Sequence, residues 1–398
     1  MKKCSLIILI VIFSLLCACG KTPINNQSSN NTSSILEENF IEIKGSEIKE
    51  VEITLEAQLL LTNSGEVYSW GLNDQGVLGL GITDTKQFVN LPTKVGLPEP
   101  IADIVCSPDS NSVVAVSESG NLYAWGPNHH SIFPQITEPV LYSPKKLEIS
   151  FKVKNASLSY HYLTLEDVDG NFYSGGDNTY YYEVGMLDEL PASKLEPINV
   201  QNVSKMYTAN FGRVYVDQNG DVFLQGTFEG EMTTNFKKIS LLPEKIVDVD
   251  TLTQGMVCLS ETGKLYFIGQ DSNFIVSGEN KTYSTPTLIE KMNKKVTDFD
   301  IATSYITVKT EDNEFYAWGY NHSVIDTQRY NEKIEEPQKI DFPADITYYN
   351  TGWFSAVAID SKGEIYAVGS TYYKLFCDDS LPQYNEAVKI KFKTVDTI

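Results

Sequence analysis

A single phrase recurs along this chain: a glycine, any residue, an apolar residue, an aromatic, two further residues and a second glycine. It stands as Gly65-Glu-Val-Tyr68-Ser-Trp70-Gly71, Gly120-Asn-Leu-Tyr123-Ala-Trp125-Gly126, Gly170-Asn-Phe-Tyr173-Ser-Gly175-Gly176 and Gly220-Asp-Val-Phe223-Leu-Gln225-Gly226. It continues as Gly263-Lys-Leu-Tyr266-Phe-Ile268-Gly269, Asn313-Glu-Phe-Tyr316-Ala-Trp318-Gly319 and Gly363-Glu-Ile-Tyr366-Ala-Val368-Gly369. The closing glycines lie 55, 50, 50, 43, 50 and 50 residues apart. A unit returning at this period cannot bury its apolar face alone and must stack on its neighbours.

Each unit carries four short strand signals. Strand A is the apolar run before the phrase, such as Leu59-Leu60-Leu61 or Val113-Val114-Ala115-Val116. A Ser-Gly, Asp-Gly, Asn-Gly or Lys-Gly turn joins it to strand B, the phrase itself, as a hairpin. Strand C follows a longer loop and opens with proline, as at Pro92, Pro144, Pro197, Pro286 and Pro337. Proline is tolerated at the first residue of a strand or on an edge, where no ladder donor is needed. Strand D reads Ile101-Ala-Asp-Ile104, Ile246-Val-Asp-Val249 or Val296-Thr-Asp-Phe299. The expected fold is all-β: a seven-bladed β-propeller of four-stranded antiparallel blades. The chain opens on a D-like strand at 48–51 and closes on a strand C at 388–392. The two termini are therefore expected to complete the seventh set of strands jointly.

The units resemble repeats of the regulator of chromosome condensation family. The first is the most faithful, Trp70-Gly71-Leu-Asn73-Asp-Gln-Gly76-Val-Leu78-Gly79-Leu-Gly81. Trp125-Gly126-Pro-Asn128 and Trp318-Gly319-Tyr-Asn321 keep its opening, and His161 is a remnant of the family's histidine before strand A. The resemblance spans residues 46–392 and implies a seven-bladed ring whose blades are offset from the sequence repeats. The founding member is a nuclear exchange factor for a small GTPase. That activity is not expected here, because the chain has an export signal and a formal charge of -21.

The first residues read as a targeting segment. Lys2 and Lys3 precede an apolar run from Leu6 to Leu16, which ends on Leu16-Cys17-Ala18-Cys19-Gly20. This resembles the bacterial lipobox, with small Ala18 just before Cys19, so residues 1–18 are expected to be a lipoprotein signal peptide and Cys19 the lipidated residue. Residues 19–39 hold almost no apolar side chain before Ile35 and read as a flexible tether. The propeller then occupies 40–398. The expected location is the cell membrane, lipid-anchored and facing away from the cytoplasm.

Only two arginines occur, Arg213 and Arg329, so nucleic acid, which is gripped by clustered cations, is excluded as a partner. Cys106, Cys258 and Cys377 sit in or beside apolar runs without metal or redox spacing and read as small buried hydrophobes. Trp70, Trp125 and Trp318 share one register of strand B and read as core. Asp167-Val-Asp169-Gly170-Asn171 reads as an A–B turn rather than a calcium loop. The four histidines, 129, 130, 161 and 322, show no spacing that converges on a metal, and neither a metal nor a cofactor is expected.

Strand parity places the short A–B turns on one face and the long B–C loops with the D–A connections on the other. The second face is the binding candidate, because loops on a rigid scaffold carry recognition. Its large aromatics are Tyr180, Tyr181, Tyr182, Tyr372 and Tyr373 in B–C loops, with Phe211, Trp353 and Phe354 at D–A connections. No catalytic motif is present. The expected function is a monomeric, non-catalytic module that grips an extracytoplasmic protein or glycan. The alternative is an extracellular enzyme acting on cell-wall or other polymers, marked by an axial pocket with converging carboxylates.

Overall fold

The computed structural model describes residues 41–394, apart from 55, 108–109, 177–193, 210–211, 229–230, 253, 303, 323, 327–328, 330, 343–344 and 371–382. The unit Asn39–Ile398 consists of seven four-stranded antiparallel sheets plus one two-stranded pair. The seven sheets are blades 1 to 7, at residues 48–94, 101–146, 153–198, 203–238, 246–288, 296–340 and 346–390. Each blade uses four consecutive strands in the order D, A, B, C. The D strand of every blade touches the D strands of both neighbouring blades, so these strands line the centre of a closed ring.

Both glycines of the recurring phrase are required by geometry. Gly65, in the first A–B turn, has φ +80, and a Cβ there would lie 2.7 Å from the Ile101 nitrogen of the next blade. Gly71 has φ +112, and a Cβ there would lie 2.5 Å from the Glu56 carbonyl oxygen in the D–A connection of its own blade. Between them, Trp70, Trp125 and Trp318 are fully buried, as expected. The Trp125 indole donates to the Val77 carbonyl at 2.8 Å, and that of Trp318 to the Ile275 carbonyl at 2.8 Å. In both cases the tryptophan of one blade is pinned under the B–C loop of the blade before it.

Two expectations are corrected. The termini do not share a blade: the D-like strand at Ile48–Ile53 begins blade 1, and blade 7 completes itself with Gln383–Ile390. Closure comes instead from an added pair, Ile41–Ile43 antiparallel to Phe392–Thr394, with Phe392 buried 4.9 Å from Trp70. The prolines also do not open strand C. Pro92, in Phe88–Lys94, sits beside a bulge where pairing jumps from Ser69–Thr93 to Gly71–Val89. A bulge on an outermost strand leaves that residue without a ladder partner, which is where a missing N–H costs least.

Adjacent blades meet through apolar clusters with one exception. One cluster runs through blades 7, 1, 2 and 3; others join 4 with 5, 5 with 6, and 6 with 7. Among the described residues no apolar cluster bridges blades 3 and 4. Cys106 and Cys258 are buried thiols inside this core, as expected; Cys377 lies outside the described residues.

Candidate binding face and axis

The D–A connections and B–C loops share one face, and two aromatic groups are assembled there. At blades 2 and 3, the single turn His129–Ser131 brings the His130 ring 4.4 Å from His161 and 5.1 Å from Tyr160. Tyr160 in turn lies 5.7 Å from His129. His161 and Tyr162 are buried, whereas His129, His130 and Tyr160 are half-buried. His130 adopts φ +53, a left-handed conformation costly for a residue with a Cβ.

At blades 6 and 7, His322 stacks on Trp353 with centroids 5.9 Å apart and meets Phe354 at 6.0 Å. Tyr320 closes on the same imidazole edge-on at 5.1 Å, and Asn331 hydrogen-bonds its Nδ1 at 3.0 Å. Burial lowers the His322 pKa, only partly offset by Asn331, so the ring is neutral near pH 7. Trp353 and Phe354 are half-buried, and the shielded Trp353 indole N–H has no acceptor. Of the aromatics expected on this face, these two are placed by the structure. Tyr180, Tyr181, Tyr182, Tyr372, Tyr373 and Phe211 lie outside the described residues, as does Cys19.

Residues 167–171 form the A–B turn of blade 3. The Asp167 carboxylate accepts from the Asp169 and Asn171 N–H groups at 2.9 and 2.8 Å. Among the described residues no group of three or more His, Cys, Asp or Glu side chains is arranged to hold a metal.

The axis holds what the sequence reading left unassigned. Alternate residues of the D strands face the centre, and they include Glu50, Glu52, Asp103, Asp248, Asp250, Asp298 and Asp300. Several latch one blade to the next: Glu50 accepts from the Ile104 N–H at 2.9 Å, Asp250 from Ile301 at 3.0 Å and Asp300 from Thr351 at 2.8 Å. Tyr348 completes the circuit, its hydroxyl lying 2.9 Å from both the nitrogen and the oxygen of Val51. Burial, with the neighbouring acids, raises Glu50, Glu52, Asp103, Asp250, Asp298 and Asp300. Burial, then Glu50 and Asp300, pushes Glu52 up to about 8; burial and Asp300 push Asp250 up to about 8. Glu50 rises to about 7, chiefly through burial and Asp103. The signal was present in sequence: acids at i and i+2 of a strand lie on one face.

The opposite face behaves differently. There the Glu99 carboxylate, ahead of blade 2, accepts from Tyr123 and Asn121 at 2.6 Å each and from Ser119. These bonds hold its pKa down to about 2. Glu244 does the same for Thr262, Lys264 and Tyr266 ahead of blade 5. That face is clipped shut by local bonds.

Fold and faces together define a closed, seven-bladed all-β ring with one plain face, one aromatic face and an acidic axis. Its blades are built from repeats of the regulator of chromosome condensation type. The model of that repeat, "Regulator of chromosome condensation (RCC1) repeat", matches residues 64–114. Human regulator of chromosome condensation is 22% identical over 298 residues, which cover 65% of this chain and 69% of that protein. Coverage of the relatives varies: the chain spans 67% of the Xenopus laevis regulator of chromosome condensation at 24% identity, but 7% of a Dictyostelium discoideum bifunctional kinase and ubiquitin ligase at 28%. Among solved structures, human WBSCR16 superposes with a TM-score of 0.70 at 13% identity, covering 82% of this chain and 93% of that one. Prp20p of Saccharomyces cerevisiae, described with its binding to Gsp1p and histones, gives 0.65 at 17% identity over 77% and 80%. At these identities the likeness establishes the fold.

Proposed function

We propose that this propeller is a protein-binding module that uses its B–C/D–A face, held outside the cytoplasm by a lipid on Cys19. The observation that carries the reading is the group at blades 6 and 7. Large rings of Trp353 and Phe354 stand half-buried around neutral His322, and the shielded indole N–H of Trp353 lacks an acceptor. Preordered aromatics give wide contact at small entropic cost and dominate interface energies. An unmet indole donor is satisfied when a partner carbonyl arrives. That Prp20p binds Gsp1p and histones fits a scaffold on which protein-gripping faces are grafted.

The test is capture from the native envelope by residues 38–398. Trp353→Ala and Phe354→Ala should each weaken retention of the captured partner by tenfold or more. Equal retention by both variants would overturn the assignment of the face. Cys19→Ser should release the protein into the medium; continued membrane retention would refute the anchor.

A second reading rests on the axis, an extracytoplasmic hydrolase of polymers. The converging carboxylates favour it, since Glu52 is held protonated at neutral pH beside other acids, as a general acid must be. Glu50, Asp250 and Asp300 already serve as backbone acceptors between blades, which leaves Glu52 as the acid to test. Glu52→Gln should abolish release of soluble fragments from cell-wall polymers; absence of such release by the unaltered protein would end this reading.

A further inference from the structure

The joint between blades 3 and 4 is built unlike the others. The strand B position held by tryptophan in blades 1, 2 and 6 is Gln225 in blade 4, on the side that faces blade 3. The residue paired with it on strand A is Gln58, Val113, Leu163, Met256, Ile306 or Ala356 in the other blades. In blade 4 it is Arg213, which is 1% exposed. Its guanidinium lies 5.1 Å from the Tyr162 ring centroid and donates to Gln225 Oε1 at 3.2 Å and to Ser174 Oγ. Its Nε–H has no acceptor, and no described carboxylate reaches it.

A buried cation with neutral partners alone is expensive, because two hydrogen bonds and an aromatic face do not replace its hydration. Burial lowers its pKa only to about 10, so the charge remains at neutral pH. The same joint also holds a cleft of about 390 Å³ lined by Asn155, Ser157, Thr164, Glu166, Lys205 and Tyr207. Of its three acids, Glu166 pairs with Lys154 at 2.7 Å and Asp248 with Lys205 at 2.8 Å, while burial raises the pKa of Asp103, which comes from blade 2. From the cleft, a strip of rotatable hydroxyls leads to the guanidinium. Thr208 bonds Thr164 at 2.8 Å, and Thr164 is the cross-strand neighbour of Ser174.

We infer that the joint of blades 3 and 4 is an anion-binding site in which Arg213 receives a carboxylate. The ligand enters between the blades, where no apolar cluster of the described residues closes the joint, and takes the free Nε–H together with one Nη in the forked geometry a carboxylate prefers. Ser174 is displaced by rotation. The site is independent of the aromatic face at blades 6 and 7.

The test follows the unfolding midpoint of the full chain at fixed ionic strength and pH 7.5 while sodium acetate replaces sodium chloride. A ligand that binds only the folded state must raise the midpoint in proportion to the logarithm of its concentration once it exceeds Kd. The unaltered protein should show this rise, and Arg213→Met should abolish it. Arg213→Lys, which retains charge but loses the fork, should weaken apparent affinity at least tenfold and serves if the Met variant does not fold. A second arm replaces acetate with N-acetyl-glutamyl amide, which offers only a side-chain carboxylate. A response to both probes assigns the site to acidic side chains of a partner, and a response to acetate alone to free organic acids. No acetate response in the unaltered protein, or an equal one in either Arg213 variant, overturns the inference.

Discussion

The joint between blades 5 and 6 and the joint between blades 3 and 4 solve the same packing problem in opposite ways. At the first, Trp318 fills the space, Val257, Phe267, Ile306 and Val308 pack around it, and one indole N–H finds the Ile275 carbonyl. At the second, Gln225 stands in the tryptophan's place, and with Arg213, Ser174, Thr164 and Thr208 it forms a polar seam with a cleft beside it. Apolar packing is non-directional and stabilises in proportion to buried area, whereas a polar seam is stable only where every donor is met. A ring can therefore hold one joint in reserve for recognition while the others carry stability.

The largest break in this comparison should come from Trp318→Ala. Removing a fully buried indole from a closed core costs about 3–5 kcal/mol, read as a lowered denaturant midpoint. Arg213→Met should cost far less in the absence of anions, since it removes a buried charge without an acidic partner. Equality of the two losses would erase the distinction between the joints.

Hydrogen exchange sharpens it further. The Thr208 amide, bonded to Ser157 across the polar seam at 3.0 Å, should exchange about tenfold faster than the Ile301 amide held by Asp250, because local opening needs less apolar surface exposed there. Matching protection would show the seam to be as tight as its neighbours.

The axis adds a dependence on pH. Glu52 and Asp250 have folded-state values near 8, above those of the unfolded chain. The fold keeps these two protons where the unfolded chain has lost them, so their contribution to stability is full below about pH 4 and declines as pH rises toward 8. Thermal midpoints at pH 5 should exceed those at pH 8, and Glu52→Gln should flatten the slope. The smallest effect is expected on the plain face: Lys94→Ala, which removes the exposed pair with Glu66, should change stability by no more than about 1 kcal/mol.

The ring was legible because its phrase has steric causes. Gly65 and Gly71 stand where a Cβ would strike backbone, and the tryptophans share a register that only a buried position explains. The phase of closure was less legible, since a short pair such as Ile41–Ile43 with Phe392–Thr394 carries little pattern of its own. Trp353 and Phe354 were named from loop position alone, but their assembly on His322 depends on a neighbouring blade. Arg213 was visible only as one of two arginines. Its signal lay in aligning the units: a charge stands where five other blades place an apolar residue, opposite a glutamine where three place tryptophan.

The clasp between Ile41–Ile43 and Phe392–Thr394 has a mechanical consequence. Any pull on the chain ahead of residue 41 reaches this three-residue strand first, and only afterwards the ring. The clasp, with the Lys391–Glu42 contact at its side, thus acts as a fuse in the load path. With three paired residues against the four-stranded ladders of each blade, the clasp is expected to part under such a pull before any blade is strained.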